Sequence, residues 1–345
     1  MIKTMLEKLI EGTNLSLEEA KDVMNEIMKG NVNNGLLSGL LIALKSKGES
    51  AEEIAGFVLA MRENSIKLNV AIDNTVDVCG TGGDNSDTFN ISTAVAFVVA
   101  GSGVRVAKHG NKSISSNCGS ADVLKELGVN IDLPAEQSAE ALDKVGITFL
   151  FAPQYHPAMK YAAQVRKELG MKTIFNMLGP LSNPAGVKKQ LIGTYNDNAM
   201  NMMANAARYL NYDKVCFLCS GNKYDEFILD QENKIIEVRE NEFIEYKLSA
   251  DTFDYPKVKL SDIKGGDVKE NAQIILNALT HNYENEHFYT ICSNAALALY
   301  TAGISNDLLE CKNAAEQSIL SGAAYEKLSS LIEFGQSFKK EKMLG

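Results

Sequence analysis

The chain has 345 residues and a formal net charge of −10, from 34 Lys+Arg against 44 Asp+Glu, and 45% of it is hydrophobic. Such a composition excludes a disordered or fibrous chain, and it argues against a general binder of nucleic acid or acidic lipid, because the average surface repels polyanions. At about 150 residues per domain the length predicts two domains with ample core.

The opening stretch MIKTMLEKLIEG carries Glu7, Lys8 and Glu11 where a signal peptide needs an apolar centre, and no run reaches the roughly 18 apolar residues of a membrane span. A cytoplasmic location is expected, with neither membrane nor nucleic acid as partner. Six cysteines, at 79, 118, 216, 219, 292 and 311, are too scattered for a disulfide framework and read as reduced thiols. The lone CxxC, Cys216 and Cys219, lies in the apolar run VCFLC with no second pair or nearby His, so it reads as core packing in a strand.

Residues 1–72 predict helices only. Met5, Leu6, Leu9 and Ile10 share one helical face. Leu17, Ala20, Val23, Met24 and Ile27 share another, after Ser16 as N-cap and before Gly30 as terminator. Two more helices are expected over about 34–47 and 50–64. From Thr75 onward, strand-like runs alternate with helical ones: TVDVC, ISTAVAFVVAGSG, VRVAK, ADVLKELG, ITFLF and PAMKYAAQVRKELG. That alternation predicts βαβ crossovers and a mostly parallel sheet. Further strands are expected near 189–195, 214–219 and 227–229, antiparallel structure near 234–249, and a helical tail from about 268 to 340. The expected division is a helical domain over 1–72, with a segment near 160–185 returning to it, and an α/β domain over 73–345.

The chemistry begins where TVDVC runs into Gly80, Thr81, Gly82 and Gly83 and a helix opens near Asn90. Glycines at a strand end let the backbone approach a ligand, and successive N–H groups beside a helix N-terminus suit a phosphate. Neither GxxxxGK[ST] nor GxGxxG is present, since position 85 is Asn. From Thr88 to Ala121 there is no Asp or Glu, although the chain's overall share would place about four there. The window instead holds Arg105, Lys108, His109 and Lys112 among many hydroxyls and amides, which is where an acidic protein can hold a phosphate. A third strand-end loop, SGNKYDE after VCFLC, brings the adjacent carboxylates Asp225 and Glu226, which suit a hard divalent cation bridging to phosphate. All three loops follow strands, so they are expected to share one crevice.

The motifs GTGGD (80–84), NIST (90–93), KHGN (108–111), SS (115–116), GSAD (119–122), HPAM (156–159), RKELG (166–170), TIFNMLGPLSNP (173–184) and DE (225–226) together resemble the anthranilate phosphoribosyltransferase family in order and spacing. The resemblance implies a fold similar to the class II nucleoside phosphorylases, with a small helical domain and a larger α/β domain. It also implies homodimers and transfer of phosphoribosyl from 5-phosphoribosyl 1-diphosphate (PRPP) to anthranilate with Mg²⁺, two ions being expected. By position, it implies a PRPP site of Gly80, Gly83, Asp84, Thr88, Asn90, Ile91, Ser92, Thr93, Lys108, His109, Gly110, Asn111, Lys112, Ser113, Ile114, Ser115, Ser116 and Ser120. Anthranilate would meet Asn111 and Arg166, with Gly80, His109 and Pro153 nearby. Magnesium would meet Ser92, Asp225 and Glu226. No general base is assigned.

The sequence departs from the family pattern in places: Tyr155 stands where a His is common, Asn117 and Cys118 where Lys-Ser is usual, Lys172 where Arg is frequent, and Cys219-Ser220-Gly221 before the DE loop. Two alternatives stay open from the residues: a pyrimidine nucleoside phosphorylase, whose KHSxGG-type motif is not matched, and a non-catalytic nucleic-acid-binding relative.

Overall fold

A computed structural model describes residues 1–112, 118–240, 242–280 and 284–344. Four helices come first: α1 (Ile2–Ile10), α2 (Leu17–Met28), α3 (Asn34–Lys47) and α4 (Ala51–Glu63). Ser16 opens α2 through a capping box with Glu19, and Ser50 opens α4 in the same way with Glu53.

Then follow β1 (Thr75–Gly80), α5 (Ile91–Gly101), β2 (Arg105–Gly110), α6 (Ser120–Glu126), α7 (Ala135–Lys144), β3 (Ile147–Phe151), α8 (Ala152–Tyr155), α9 (Lys160–Leu169), α10 (Phe175–Leu181), β4 (Lys189–Gly193), α11 (Asp197–Ala207), β5 (Lys214–Ser220), β6 (Asn233–Arg239) and β7 (Glu242–Leu248). The chain closes with α12 (Val268–Thr280), α13 (Glu286–Ala302), α14 (Leu308–Leu320) and α15 (Ala323–Leu344).

The strands form one sheet in the order β3-β2-β1-β4-β5-β6-β7, parallel through β5 and antiparallel beyond it. From β1 the chain first winds outward through β2 to β3 and then jumps back to β4 on the other side. The strand order therefore reverses between β1 and β4, and a crevice opens at their carboxyl ends. One apolar cluster packs α5, α13 and the other C-terminal helices on one face of the sheet. A second joins α1–α4 to α9, α10, α11 and inward-facing residues of β4, β5 and β6, among them Ile192, Phe217 and Ile236. Among the described residues no helix is long and apolar enough to cross a membrane.

One expected strand is absent: residues 227–229 form no ladder. Phe227, Ile228 and Leu229 are buried as a strand's would be, but two asparagine side chains take the backbone groups of the first two. Asn294 accepts from the Phe227 N–H and donates to its carbonyl, at 2.9 and 3.0 Å. Asn233 does the same for Ile228, at 2.9 and 3.1 Å.

Candidate active site at the carboxyl edge of the sheet

The three loops meet. The Gly82 N–H, in the turn after β1, donates to Asp225 Oδ2 at 2.6 Å. At the start of α5, the Ser92 N–H donates to Glu226 Oε1 at 3.1 Å, placing a carboxylate at a helix N-terminus, where the backbone favours an anion. From β2, Lys108 is 3% exposed and points inward, its Nζ donating to the Val78 carbonyl at 2.7 Å and to Ser92 Oγ at 3.3 Å. Asp84 completes the cluster, accepting from the Asp225 N–H at 3.4 Å and from Ser86 N–H and Oγ.

Two glycines admit this arrangement. A Cβ on Gly193, the last residue of β4, would lie 1.6 Å from the Asp225 carbonyl oxygen, and one on Gly80 would lie 2.5 Å from Asp225 Oδ2. The loop itself turns through left-handed residues at Gly82, Gly83, Asn85 and Asp87.

Burial pushes the Asp225 carboxyl well above its usual range, with the Asp84 and Glu226 charges adding to the shift. Burial also raises Glu226, to about 7, against the pull of Lys108 and the Ser92 N–H. Desolvation lowers Lys108, against the opposing pull of the Asp77 and Glu226 carboxylates. Lys172 lies 3.8 Å over the Tyr195 ring and feels both Asp84 and Asp225. Carboxylates thus outnumber ammonium groups here, and every donor oxygen is hard, as a divalent cation of the magnesium type requires. Among the described residues no three His, Cys, Asp or Glu side chains gather closely enough to hold an ion unaided. Such a set fits a cation that keeps water and takes further oxygens from a phosphate.

Of the other expected PRPP residues, Thr88 Oγ1 lies 3.1 Å from Ser86 Oγ, and Asn90 is the N-cap residue of α5. Ile91 and Thr93 are buried in that helix's first turn, where Asn90 Oδ1 and Thr93 Oγ1 lack hydrogen-bond partners. Gly110 ends β2 against Ser120 Oγ and the Phe149 ring. Asn111 accepts through Oδ1 from the Lys112 N–H at 2.8 Å, and its carbonyl accepts from Ser120 Oγ at 3.2 Å. Lys112 Nζ stands 5.8 Å over the Phe151 ring. Ser113, Ile114, Ser115 and Ser116 lie outside the described residues.

Pro153 is exposed on α8, directly after β3, at the same sheet edge. Arg166 sits on α9 with its guanidinium 5.1 Å over Phe175; it makes no hydrogen bond to the carboxylate cluster and, among the described residues, no ion pair. Burial alone lowers its pKa, leaving a desolvated cation without a carboxylate. His109 packs 5.2 Å from the His156 ring, and burial together with that neighbour pushes it down to about 3. Tyr155 is buried in a small apolar cluster with Leu68, Ala107, Leu142 and Val187. Cys216 and Cys219 are buried in β5, their thiols pushed up to about 12 by burial.

Residues that sequence reasoning passed over hold the site from behind. Asp77, 0% exposed in β1, accepts from the His109 N–H, Asn183 Nδ2 and Gln190 Nε2 at 3.1, 2.8 and 2.9 Å. Gln190 Oε1 accepts from Tyr212 OH, which in turn accepts from Arg62 of α4, both at 2.6 Å. The available signal was an acid in the middle of an apolar strand.

Comparison with known proteins fits this geometry. The family described as "Glycosyl transferase family, helical bundle domain" matches residues 3–65, and "Glycosyl transferase family, a/b domain" matches residues 72–325. Anthranilate phosphoribosyltransferase of Thermoanaerobacter sp. is 44% identical, covering 97% of this chain and 98% of its own length; that of Persephonella marina is 42% identical, covering 97% and 99%. The Thermus thermophilus enzyme structure superposes with a TM-score of 0.91 at 37% identity, over 96% of this chain and 99% of that one. The Saccharomyces cerevisiae enzyme in complex with PRPP and Mg gives 0.88 at 26% identity, over 97% and 98%. The chain therefore belongs to the anthranilate phosphoribosyltransferase family.

Proposed function

We propose that the chain joins anthranilate to PRPP, giving N-(5-phosphoribosyl)anthranilate and pyrophosphate in tryptophan biosynthesis. The observation that carries the site assignment is the meeting of three strand-end loops around one carboxylate pair, tied to the glycine loop by the Gly82 N–H and to α5 by the Ser92 N–H. In this reading PRPP lies along Gly80, Gly83, Asp84 and Thr88, the first turn of α5, the segment from Lys108 to Ser116, and Ser120. The hard-oxygen donor set suits Mg²⁺, and the yeast relative binds Mg together with PRPP. Asp225, Glu226 and the Ser92 hydroxyl would hold it, as two ions, and when bound it neutralises charge developing on the departing diphosphate.

The chain's own residues do the rest. Loss of diphosphate from the ribose C1 builds oxocarbenium character, so oriented N–H groups that hold phosphate oxygens favour the transition state. Arg166, desolvated and without a carboxylate partner among the described residues, takes the anthranilate carboxylate in a fork. Gly80, Asn111, His109 and Pro153 complete the anthranilate side. A ring held near pKa 3 stays neutral and is a poor proton acceptor, so His109 orients and does not deprotonate. None is needed as a base, because an aniline nitrogen sheds its proton readily once bonded. We read the protein as a cytoplasmic homodimer formed through the helical domains.

The test is optical. Purified protein with PRPP and Mg²⁺ is expected to deplete anthranilate fluorescence, and EDTA to stop the depletion. Depletion that runs equally well without PRPP overturns the assignment.

A further inference from the structure

Asn294 sits near the middle of α13, the helix's one side-chain amide, and is 1% exposed. A buried amide inside a helix is costly unless its donors and acceptor are used. Here all are used: Oδ1 accepts from the Phe227 N–H at 2.9 Å, while Nδ2 donates to the Phe227 carbonyl at 3.0 Å and to the Thr290 carbonyl one turn back at 2.9 Å. The side chain thus pairs with Phe227 as a neighbouring strand would. Phe227 directly follows Glu226, and outside its own helix Asn294 bonds nothing else among the described residues. Asn233, by contrast, also bonds the carbonyls of Gln231 and Leu248 and so serves the wider loop.

We propose that Asn294 is a positioning residue for the Asp225–Glu226 pair, fixing the backbone that aims both carboxylates at the cation; the proposal rests on the metal reading above. Two further contacts converge on the same segment. Gly193 leaves room for the Asp225 carbonyl, and Ser220 Oγ donates to the Glu226 carbonyl. Asn294 is the clamp that reaches the pair from the helix layer packed on the sheet. Without it, Phe227 keeps its buried ring but loses both backbone partners, and the carboxylates beside it lose their register.

The experiment titrates Mn²⁺ into the full-length protein with PRPP present and follows free ion by its paramagnetic resonance signal. Asn294→Ala is expected to raise the half-saturating Mn²⁺ concentration roughly tenfold or more, the usual effect of removing support behind a metal ligand. Turnover at saturating metal should recover to within about threefold of the parent, because no group that touches substrate is removed. Asn294→Asp keeps the acceptor for Phe227 N–H but sets an oxygen against its carbonyl; it should also weaken Mn²⁺ and covers the case in which the alanine variant fails to fold. Ser293→Ala is the control, since among the described residues that buried hydroxyl bonds only the Thr290 carbonyl of its own helix. An Mn²⁺ half-saturation in Asn294→Asp equal to that of Ser293→Ala overturns the proposal. Absence of Mn²⁺ binding by the parent protein overturns the metal reading and the proposal with it.

Discussion

The backbone N–H of His109, at the end of β2, donates to Asp77 Oδ1 in the neighbouring strand at 3.1 Å, so a buried carboxylate holds the residue that opens the KHGN loop. Its other oxygen takes the amides of Asn183 and Gln190, and neither amide is free to turn over. Asn183 also donates to the Ala107 carbonyl and accepts from the Ala185 N–H; Gln190 also donates to the Pro180 carbonyl and accepts from Tyr212 OH. Both oxygens must therefore accept. Asp77→Asn forces an NH₂ group against a donor and should destabilise the fold by about 1.5–3 kcal/mol, read as a shift of the urea midpoint. The same variant should raise the half-saturating PRPP concentration, and an unchanged value would separate the hub from the site.

The acid pair makes stability depend on pH in a defined direction. Burial raises Asp225, and it raises Glu226 from 4.5 to about 7, so in the metal-free protein the folded state binds protons that the unfolded chain has released. The stabilising share of Glu226 is complete below pH 4.5 and disappears as pH climbs through about 7. In EDTA the unfolding temperature should decline across that window from this cause. The gain on adding Mg²⁺ should grow over the same window, since only the deprotonated pair binds a cation. A calorimetric series at fixed ionic strength checks both trends.

Gly193→Ala should act on catalysis through Asp225. The added Cβ would fall 1.6 Å from a backbone oxygen, which cannot swing away as a side-chain tip can. The carboxylate pair must move, and displacements near 1 Å cost on the order of a hundredfold in rate. Gly80→Ala meets the Asp225 side chain first, at 2.5 Å, so it should cost less stability while still weakening metal use. Comparing kcat and unfolding temperature for the two variants tests this order.

Arg166→Ala should raise the anthranilate KM by about tenfold to a hundredfold, the equivalent of one charged hydrogen-bonded contact, with kcat little changed. Arg166→Lys should recover only part of the loss, because a point charge cannot reproduce the fork. An unchanged KM in the alanine variant would remove Arg166 from the substrate site.

Much of this was legible in the sequence because strong local signals agree with the fold. The helices over residues 1–64, the parallel strands through β5 and the shared crevice follow from period, caps and the rule that loops at strand ends gather. The stretch 227–229 failed for a physical reason: Phe-Ile-Leu is buried like a strand, and periodicity cannot distinguish a ladder partner from the side chains of Asn233 and Asn294. Lys108 was expected from its basic, carboxylate-free window to face a phosphate. It turns inward to Ser92 Oγ, where it balances the charges of Asp77 and Glu226. Tyr155, which stands where a His is common in the family, fills a small core. Asp77 and Gly193 matter through residues far away in sequence, and spacing along one chain does not report that.

The apolar cluster running from α1 to β6 also constrains how the chain is made. Helices α1–α4 leave the ribosome well before the surface that closes their core, Ile192, Val215, Phe217 and Ile236, is translated. Arg62 likewise waits for the Leu181 and Leu210 carbonyls and for Tyr212. The nascent bundle must therefore travel with a greasy flank uncovered until β5 and β6 arrive, the interval in which a chaperone would find most to hold.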